Sequence, residues 1–302
     1  MIKVLFSTLL ALLTFQSAVA DDLKVVILGT GTPMSYPDRS GPGVAVISGG
    51  KPYIVDSGAG VFRKTRAAVE KGVTELTPPN LDKIFLTHLH SDHTAGLANM
   101  ILAPWVLRRI APLKIYGPPG TTHMTDNLVE AYRQDINMRL HGSQPANPDG
   151  YKVESHEFAK SGVIYEDENV TVEAIKVPHG SWEHAYGYKF TEKSTGKTVV
   201  ISGDTAKSDA IKKAAMGVDI LVHEIGSEIA LNKRTKEWQI YHRSYHTMPA
   251  ELAEIANTAK PKLLVLYHQL YWSKEDDNLA EEIRAAGYRG KVVSANDLDV
   301  FQ

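Results

Sequence analysis

The feature that most constrains this chain is a dense cluster of polar side chains directly after a short apolar strand. The segment Thr87-His88-Leu89-His90-Ser91-Asp92-His93 ends the run Lys83–Thr87 and precedes the turn Thr94–Gly96. Neutral imidazole and carboxylate groups are ligands that zinc and related ions bind. A polar solvated turn is the simpler explanation of a lone histidine, but not of H-x-H-x-D-H at the end of an apolar strand. The cluster therefore predicts a metal site at the edge of a β-sheet.

The spacing within this cluster favours two neighbouring metals rather than one. His88 and His90 are two positions apart, so an extended backbone points them the same way. Asp92 and His93 are adjacent and diverge. One motif cannot complete two coordination shells, so further ligands must come from elsewhere in the chain.

Three later residues share the same context, a metal-competent side chain at the end of an apolar strand. His179 follows the strand Val170–Val177, Asp204 follows Thr198–Ser202, and His268 ends a third apolar run. Taken singly, each is more often a capping or core polar residue than a ligand. Taken together, four such strand ends predict a site at one rim of a sheet structure.

Cysteine is absent from the 302 residues, whereas histidine occurs 12 times. This excludes disulfides, thiolate zinc sites, iron–sulfur clusters and cysteine nucleophiles. Any transition-metal site must therefore use His, Asp and Glu. A net charge of −2 and a pI near 6.6 give no electrostatic footprint for nucleic acid, although a local basic groove stays open.

Residues 1–20 have the pattern of a secretory signal peptide. Lys3 supplies a positive charge, an apolar run follows, and Ala18-Val19-Ala20 is an A-x-A cleavage signal. A transmembrane anchor is disfavoured because the run falls short of the ~20 apolar residues that a span needs. We therefore expect a single mature domain over residues 21–302, periplasmic or secreted, with no membrane span.

Along this mature chain, strands and helices alternate. The pattern predicts a loop at His141–Tyr151, and no flexible linker divides the chain. The predicted strands are Leu23–Gly29, Gly43–Ser48, Pro52–Ser57, Asp82–His88, Lys114–Gly117, Lys152–Phe158, Val170–Val177, Tyr186–Thr191, Thr198–Ser202, Asp219–His223, Lys262–His268, Lys291–Ser294 and Leu298–Phe301. The predicted helices are Val61–Lys71, Leu97–Ile110, Thr121–Leu140, Ser208–Met216, Pro249–Ala259 and Lys274–Ala286.

The order H-x-H-x-D-H, later His, later Asp, last His resembles the ligand set of the metallo-β-lactamase superfamily. Leu28–Pro33 and Asp56-Ser57-Gly58 resemble the opening of its ribonuclease Z and arylsulfatase-like branch. His223-Glu224 and Ser244-Tyr245-His246-Thr247 resemble two later segments of that branch. The resemblance implies an α/β fold, a four-layer αββα sandwich.

The resemblance also implies a dinuclear zinc centre, with manganese or iron left open. The first metal would be held by His88, His90 and His179, and the second by Asp92, His93 and His268. Asp204 would bridge the two metals, and Asp56 would support the ligand shell. His184 competes with His179, which is preferred because it directly ends its strand.

Such a centre implies hydrolysis by a metal-bridging hydroxide. His246, assisted by Glu224, is the expected general acid, and Asp92 is the third expected catalytic residue. A surface loop histidine is the simpler explanation of His246. His223 is interpreted as structural, and His242 has no supporting pattern.

The expected substrate is a small phosphodiester or an aryl sulfate ester. Precursor tRNA is disfavoured because a signal peptide would export the chain, and because Gly180–Gly203 leaves no room for a tRNA-gripping arm. Arg108-Arg109 and the basic residues at 233, 234 and 236 are interpreted as solvated charge. A lactone or β-lactam hydrolase, and a non-catalytic periplasmic metal- or ligand-binding protein, are the alternatives.

Three structural questions are open from the sequence. Aromatic residues near the motifs could line an apolar substrate pocket, although core packing is the simpler role for any one of them. The loop His141–Tyr151 could cover the site, and the chain could form a homodimer. These aromatic residues are Trp182, Trp238, Tyr241 and Tyr245.

Overall fold

The structure is a computed structural model that describes residues 23–272 and 278–302, so the signal-peptide prediction lies outside the described residues. The first sheet has the strand order β14-β1-β2-β3-β4-β5-β6, and the second has β13-β12-β11-β10-β9-β8-β7. The first sheet consists of β1 Lys24–Gly29, β2 Gly43–Ser48, β3 Lys51–Val55, β4 Lys83–Phe85, β5 Leu113–Gly117, β6 Val153–Glu157 and β14 Val300–Phe301. The second consists of β7 Gly162–Glu166, β8 Val170–Lys176, β9 Tyr186–Glu192, β10 Thr198–Ile201, β11 Ile220–Gly226, β12 Leu263–Leu270 and β13 Val292–Ser294.

Ten α-helices lie in the described part of the chain. They are α1 Val61–Glu70, α2 Ser91–Thr94, α3 Leu97–Val106, α4 Thr121–Ala131, α5 Arg133–His141, α6 Asp209–Ala214, α7 Glu228–Leu231, α8 Lys236–Tyr245, α9 Pro249–Ala259 and α10 Leu279–Ala285. Among the described residues, no helix is both long and apolar enough to cross a bilayer.

Each sheet changes from antiparallel to parallel pairing at one strand. In the first sheet β3 pairs antiparallel with β2 and parallel with β4. In the second, β10 pairs antiparallel with β9 and parallel with β11. Loops that leave the carboxyl ends of parallel strands meet at one edge, which is where open α/β sheets bind ligands.

Three apolar clusters divide the molecule into four layers. The central cluster joins the facing sides of the two sheets and includes Val25, Phe85 and Tyr188. A second cluster packs α1 and α3 on the first sheet, and a third packs α6, α9 and α10 on the second. Strands covered on both faces are buried along their whole length, as in β2 and β11. The predicted four-layer αββα sandwich is confirmed.

Several element predictions were wrong in detail. The long helix Thr121–Leu140 is two helices that meet at Tyr132, and the strand β7 and the helix α8 were not predicted. Residues 236–245 were missed although Trp238, Tyr241 and Tyr245 recur at helical spacing. None of the side chains of α8 is buried, so this aromatic stripe is not part of a core. The last helix begins at Leu279, and the start predicted at Lys274 lies outside the described residues.

Arg109 is a buried residue, so its interpretation as solvated charge was wrong. Its Nη1 donates to the carbonyl oxygens of Leu81 and Met100, each at 2.9 Å. Its Nη2 donates to those of Ile101 at 2.5 Å and Gly150 at 2.8 Å. A guanidinium can be buried when its fixed fork of donors is matched by acceptors, here two carbonyls of α3 and two carbonyls outside it.

Candidate active site

The H-x-H-x-D-H segment lies where β4 gives way to α2. There, three imidazole nitrogens from two parts of the chain converge. His88 Nε2 lies 2.9 Å from His90 Nδ1, and His179 Nε2 lies 3.2 Å from the same atom. The group is completed by a carboxylate oxygen of Asp204, which together with these nitrogens fits within 4.8 Å.

A second group lies beside the first and includes Asp92, His93 and His268. Asp92 Oδ2 lies 3.2 Å from His268 Nε2 and 3.7 Å from His93 Nε2. Asp204 reaches this group as well, because Oδ1 is 3.3 Å from His93 Nε2 and Oδ2 is 3.5 Å from His268 Nε2. Asp204 therefore lies between the two groups, in the position expected of a bridging ligand.

The donor set fits two divalent cations. His93 Nε2 and Asp204 Oδ1 are buried and have no hydrogen-bond partner among the described residues. Buried polar atoms are normally paired, so unpaired ones that converge indicate an ion. Burial lowers the pKa of His88 well below its usual range, which favours the neutral imidazole that a metal requires. Burial alone would raise the pKa of Asp204, but His268 and His93 outweigh it and hold the carboxylate ionised.

Other groups orient these side chains. Asp56 Oδ2 lies 2.8 Å from His93 Nδ1, and Asp56 Oδ1 accepts from the Thr87 N–H at 2.8 Å. His179 Nδ1 donates to the Tyr245 carbonyl at 2.8 Å. Such outer contacts fix the ring orientation and tautomer of a ligand histidine. Asp56 thus lies where the sequence predicted a supporting carboxylate.

Two residues at this site have left-handed backbones although neither is glycine. Asp56 has a φ of 61° and His268 a φ of 40°. Such conformations cost of order 1 kcal/mol and persist where the surrounding structure imposes them, often at functional sites. Asp56 directly follows β3, and His268 lies within β12 where its pairing with β11 shifts register, so the sheets hold both residues in this geometry.

Trp182 contacts His90 directly. Its Nε1–H donates to His90 Nε2 at 2.5 Å, and the two rings meet edge to face. The indole therefore positions a candidate ligand instead of lining the open cleft. A cation on His90 Nδ1 requires the ring proton on Nε2, so this contact must rearrange when a metal binds.

Glu224 and His246 form a buried pair at the rim of the candidate centre. His246 Nδ1 lies 3.5 Å from Glu224 Oε2 and 3.9 Å from Asp204 Oδ2. Glu224 Oε1 accepts from the Thr247 N–H at 2.8 Å. Burial, together with the Asp204 carboxylate, raises the pKa of Glu224 well above its usual range. Burial lowers the pKa of His246 to about 4, so burial disfavours the charged form of both members of the pair.

Comparisons with known proteins agree with this geometry. A family model described as a beta-lactamase superfamily domain matches residues 52–269. The chain belongs to the metallo-β-lactamase superfamily. The ribonuclease Z of Mycobacterium bovis is 32% identical over 283 residues, covering 91% of this chain and 96% of that protein. The chain is therefore a ribonuclease Z-like metallo-hydrolase.

Solved structures show the same fold. The metallo-β-lactamase fold protein YhfI of Bacillus subtilis superposes with a TM-score of 0.67 at 20% identity, covering 92% of this chain and 98% of that one. The short form of human tRNase Z superposes with a TM-score of 0.66 at 23% identity over the same shares. Members of this superfamily usually bind two zinc ions, and the candidate His/Asp groups described above provide for two metals.

Three further histidines of this superfamily member have different surroundings. His184 lies outside the ligand groups, with Nδ1 3.4 Å from the Tyr186 hydroxyl. His223 is buried on β11, and its Nδ1 donates to the Glu224 carbonyl at 2.6 Å. His242 lines the cleft beside the centre and was missed. It stands four positions before His246 on α8, a spacing that would have placed both on one side of a helix had α8 been predicted.

A cleft of about 420 Å³ opens beside the candidate metal centre. One wall is α8, which contributes Trp238, Tyr241 and His242, and the other includes Met34 and Trp272. None of the residues that line the cleft comes from the loop 142–151. That loop packs elsewhere, since the Trp105 Nε1–H donates to the Asn147 carbonyl at 2.9 Å. The cleft is thus enclosed by α8 and the loop around Met34.

Proposed function

We propose that this chain is an exported dinuclear zinc hydrolase that cleaves a phosphodiester or a related ester. The observation that supports this most is the convergence of two His/Asp groups on Asp204, next to the His246–Glu224 pair and inside an open cleft. A binding protein would need the donors but would have no use for a buried proton-carrying pair beside them. The geometry therefore favours catalysis over metal storage.

Each residue has a role in this proposal. His88, His90, His179 and Asp204 would hold one cation, and Asp92, His93, His268 and Asp204 the other. When bound, two such ions lower the pKa of a water molecule and offset the charge that develops on the attacked ester. Zinc suits this donor set best, with manganese or iron as alternatives that metal analysis of the purified protein would distinguish.

The chain's own contribution is the proton for the leaving group. Hydrolysis of a diester joins the oxygen of one water to phosphorus, breaks the bond to the leaving oxygen and places one proton on that oxygen. His246 lines the cleft and lies 3.5 Å from Glu224, whose raised pKa keeps a proton available. We propose that this pair passes that proton to the leaving oxygen through His246.

Phosphodiesters, aryl sulfates and lactones are three candidate classes of substrate. A small phosphodiester is favoured by the ribonuclease Z relatives, and an aryl sulfate or a lactone would react through the same centre. Precursor tRNA is a second candidate, because relatives named ribonuclease Z align over 91% of this chain. The interval Gly180–Gly203 holds β9 and β10 and leaves no room for a tRNA-gripping arm. Relatives named ribonuclease Z nevertheless align over 91% of this chain, so the lack of an arm in this interval is weak evidence against a tRNA substrate.

Export is proposed from residues 1–20 alone. Support comes from the apolar run and the A-x-A signal before Asp21. Expression of the full chain followed by fractionation and N-terminal sequencing tests it. We expect the mature chain, residues 21–302, to begin at Asp21, and retention of Met1 in the cytoplasm would contradict export. Light scattering on the same sample would show whether a homodimer forms.

The activity is tested on the mature protein loaded with zinc. The substrates are bis-p-nitrophenyl phosphate, an aryl sulfate, a lactone, a cephalosporin and a precursor tRNA. We expect turnover of the diester. We expect His246→Ala and Glu224→Gln each to slow the cleavage of a dinucleotide at least ~100-fold, because its leaving alkoxide needs a proton whereas p-nitrophenolate does not. Two bound metals without turnover of any of these substrates would leave only the binding-protein alternative.

A further inference from the structure

The cleft beside the candidate centre has an aromatic wall that metal binding does not explain. Trp238 and Tyr241 lie on α8 and are 52% and 39% exposed. Their rings meet edge to face at 5.5 Å, and Trp238 stacks on His242 at 5.6 Å with 25° between the planes. Large aromatic side chains exposed together in a concave site indicate a binding surface.

Trp272 adds a further aromatic ring to the lining of the same cleft. The ring of Trp272 lies 4.5 Å from that of His242, so His242 is flanked by two indoles. Trp272 has a φ of 54°, a left-handed conformation that is uncommon for a bulky residue. Met34 is half exposed across the cleft, and its thioether is suited to contact a flat ring. These side chains therefore offer flat and polarisable surfaces to a ligand in the cleft.

One polar atom in this aromatic surround has no partner. His242 Nδ1 is buried and makes no hydrogen bond with any residue in 23–272 or 278–302. Leaving a buried nitrogen unpaired costs about 1–3 kcal/mol, whereas a ligand that supplies its partner recovers this free energy. The ligand of this cleft should therefore carry a polar atom on or next to its flat ring.

The position of His246 decides which part of a substrate lies here. His246 lines the same cleft directly after the end of α8, and its ring is 5.9 Å from that of His242, four positions earlier in the chain. A group that gives its proton to the leaving oxygen must lie beside whatever that oxygen carries. The aromatic cleft is thus on the leaving-group side of the centre.

We propose that this cleft is a leaving-group subsite for a planar aromatic ring, stacked on Trp238 and hydrogen-bonded to His242. The inference rests on the proposed hydrolase function and adds its substrate class, a diester whose leaving alcohol bears an aromatic ring. A phenol and a nucleoside both meet this requirement. They differ in size and in the distance from the ring to the ester oxygen, so ligands of both kinds are needed in the test.

Binding to the zinc-loaded protein is measured by calorimetry for three phosphate monoesters: phenyl phosphate, thymidine 5′-monophosphate and methyl phosphate. All three offer the same phosphoryl group, and only the first two carry a ring. We expect at least one of these two to bind about tenfold tighter than methyl phosphate, as stacking on an aromatic side chain implies. Whichever of the two shows the greater dependence on Trp238 identifies the phenol or the nucleoside as the leaving group.

Variants on one helix separate the subsite from the centre. Trp238→Ala should abolish the preference for the ring and leave the affinity for methyl phosphate unchanged, and Trp238→Phe should restore most of the preference. His242→Phe keeps a flat ring but removes Nδ1, so we expect a partial loss. Ile240→Ala is the matched control, because Ile240 is 71% exposed on α8 and does not line the cleft.

The outcomes that would overturn the proposal are distinct. Equal affinity for all three ligands would exclude the aromatic subsite while leaving the phosphoryl site intact. An equal loss of all three affinities in Trp238→Ala would mean that α8 acts on the centre and not on the ring. Failure of every ligand to bind the zinc-loaded protein would remove the proposed hydrolase function together with the subsite.

Discussion

The two halves of the sandwich repeat one strand order but build their share of the site differently. Strands β1–β6 and β8–β13 each begin antiparallel and become parallel at the third strand. An aspartate follows that third strand in both halves, Asp56 after β3 and Asp204 after β10. Asp56 orients a histidine from behind, whereas Asp204 lies between the two ligand groups.

The halves also differ in how far apart their donors lie along the chain. The first half supplies all of its donors from one segment, His88 to His93, in which the backbone itself sets their spacing. The second half supplies His179 and Asp204 from the loops after β8 and β10, and His268 from within β12, and only the assembled sheet brings these three residues together. Equivalent strand ends can thus take different roles, and the donors of the second half depend on the whole fold.

Exchange of the two aspartates for asparagine tests this difference most strongly. Asp204→Asn should lower metal affinity or activity by more than ~100-fold, because both ligand groups lose a shared donor. This exceeds the effect of losing a residue that only orients a ligand. Asp56→Asn should cost about 10–100-fold, since His93 is only reoriented. Metal content and kcat of both variants check this, and equal effects would mean that the two aspartates act alike.

Replacement of the buried Arg109 tests how much its hydrogen bonds stabilise the first half. Arg109→Met leaves four buried carbonyl oxygens without a donor, so we expect the free energy of unfolding to fall by about 3 kcal/mol or more. Arg109→Lys should recover little, because an ammonium does not reproduce the guanidinium fork. The measurement is urea unfolding of the metal-free protein.

The neighbouring arginine is the matched control. Arg108 is exposed, and Arg108→Met should change the free energy of unfolding by no more than about 0.5 kcal/mol. If the two methionine variants were equally stable, the four hydrogen bonds of Arg109 would contribute nothing to the free energy of unfolding.

A link between the two sheets has a defined pH dependence. Asp167 Oδ2 accepts from the hydroxyls of Tyr53 on β3 at 2.7 Å and Tyr165 on β7 at 2.8 Å. Burial would raise the pKa of Asp167, but these and backbone hydrogen bonds outweigh it and hold the pKa below its ordinary value. The stabilisation is therefore present above the unfolded pKa of about 3.9 and is lost as the pH falls through the lower folded pKa.

Asp167→Asn should accordingly lower the free energy of unfolding at pH 7 by about 1–2 kcal/mol. The difference from the unchanged protein should narrow below about pH 4, as the aspartate of the latter takes up a proton. Urea unfolding in chelator at both pH values measures it, with the change Glu173→Gln at an exposed position of β8 as the control. A difference that is the same at pH 7 and pH 3 would show that the aspartate acts through packing alone.

The smallest expected effect concerns how the helices begin. In the second half the side chain of Ser208 accepts from the Ile211 N–H at 3.2 Å and caps α6. In the first half α1 and α4 begin after Gly60 and Gly120, which have no side chain for a cap. Ser208→Ala should cost about 1 kcal/mol of unfolding free energy, read as a shift in the urea midpoint. No shift would mean that packing alone holds α6 in place.

Local sequence patterns predict most of the fold and the candidate ligands. H-x-H-x-D-H needs only a strand and a turn to place its side chains, so the sequence predicts it well. His179, Asp204 and His268 could be predicted because a polar residue after an apolar run marks a strand end. The preference for His179 over His184 agrees with the structure, which brings only His179 to the ligand groups.

The elements that were not predicted have less distinct patterns. Helix α8 has aromatic residues at helical spacing but buries none of its side chains, so no core-facing apolar run marks it, and His242 was missed with it. Arg109 was misassigned because its acceptors are backbone carbonyls, whose convergence depends on tertiary structure alone. The break at Tyr132 likewise leaves no glycine or proline signal.

The last strand, β14, leaves the second half and pairs with β1 of the first. Just before it, Asp297 accepts from the Thr30 N–H at 2.9 Å and the Ser40 N–H at 2.7 Å, on either side of the loop that carries Met34. The end of the polypeptide is therefore fastened to one wall of the substrate cleft. An affinity tag fused directly after Gln302 would disturb that wall, so a tag for kinetic work belongs behind a long linker.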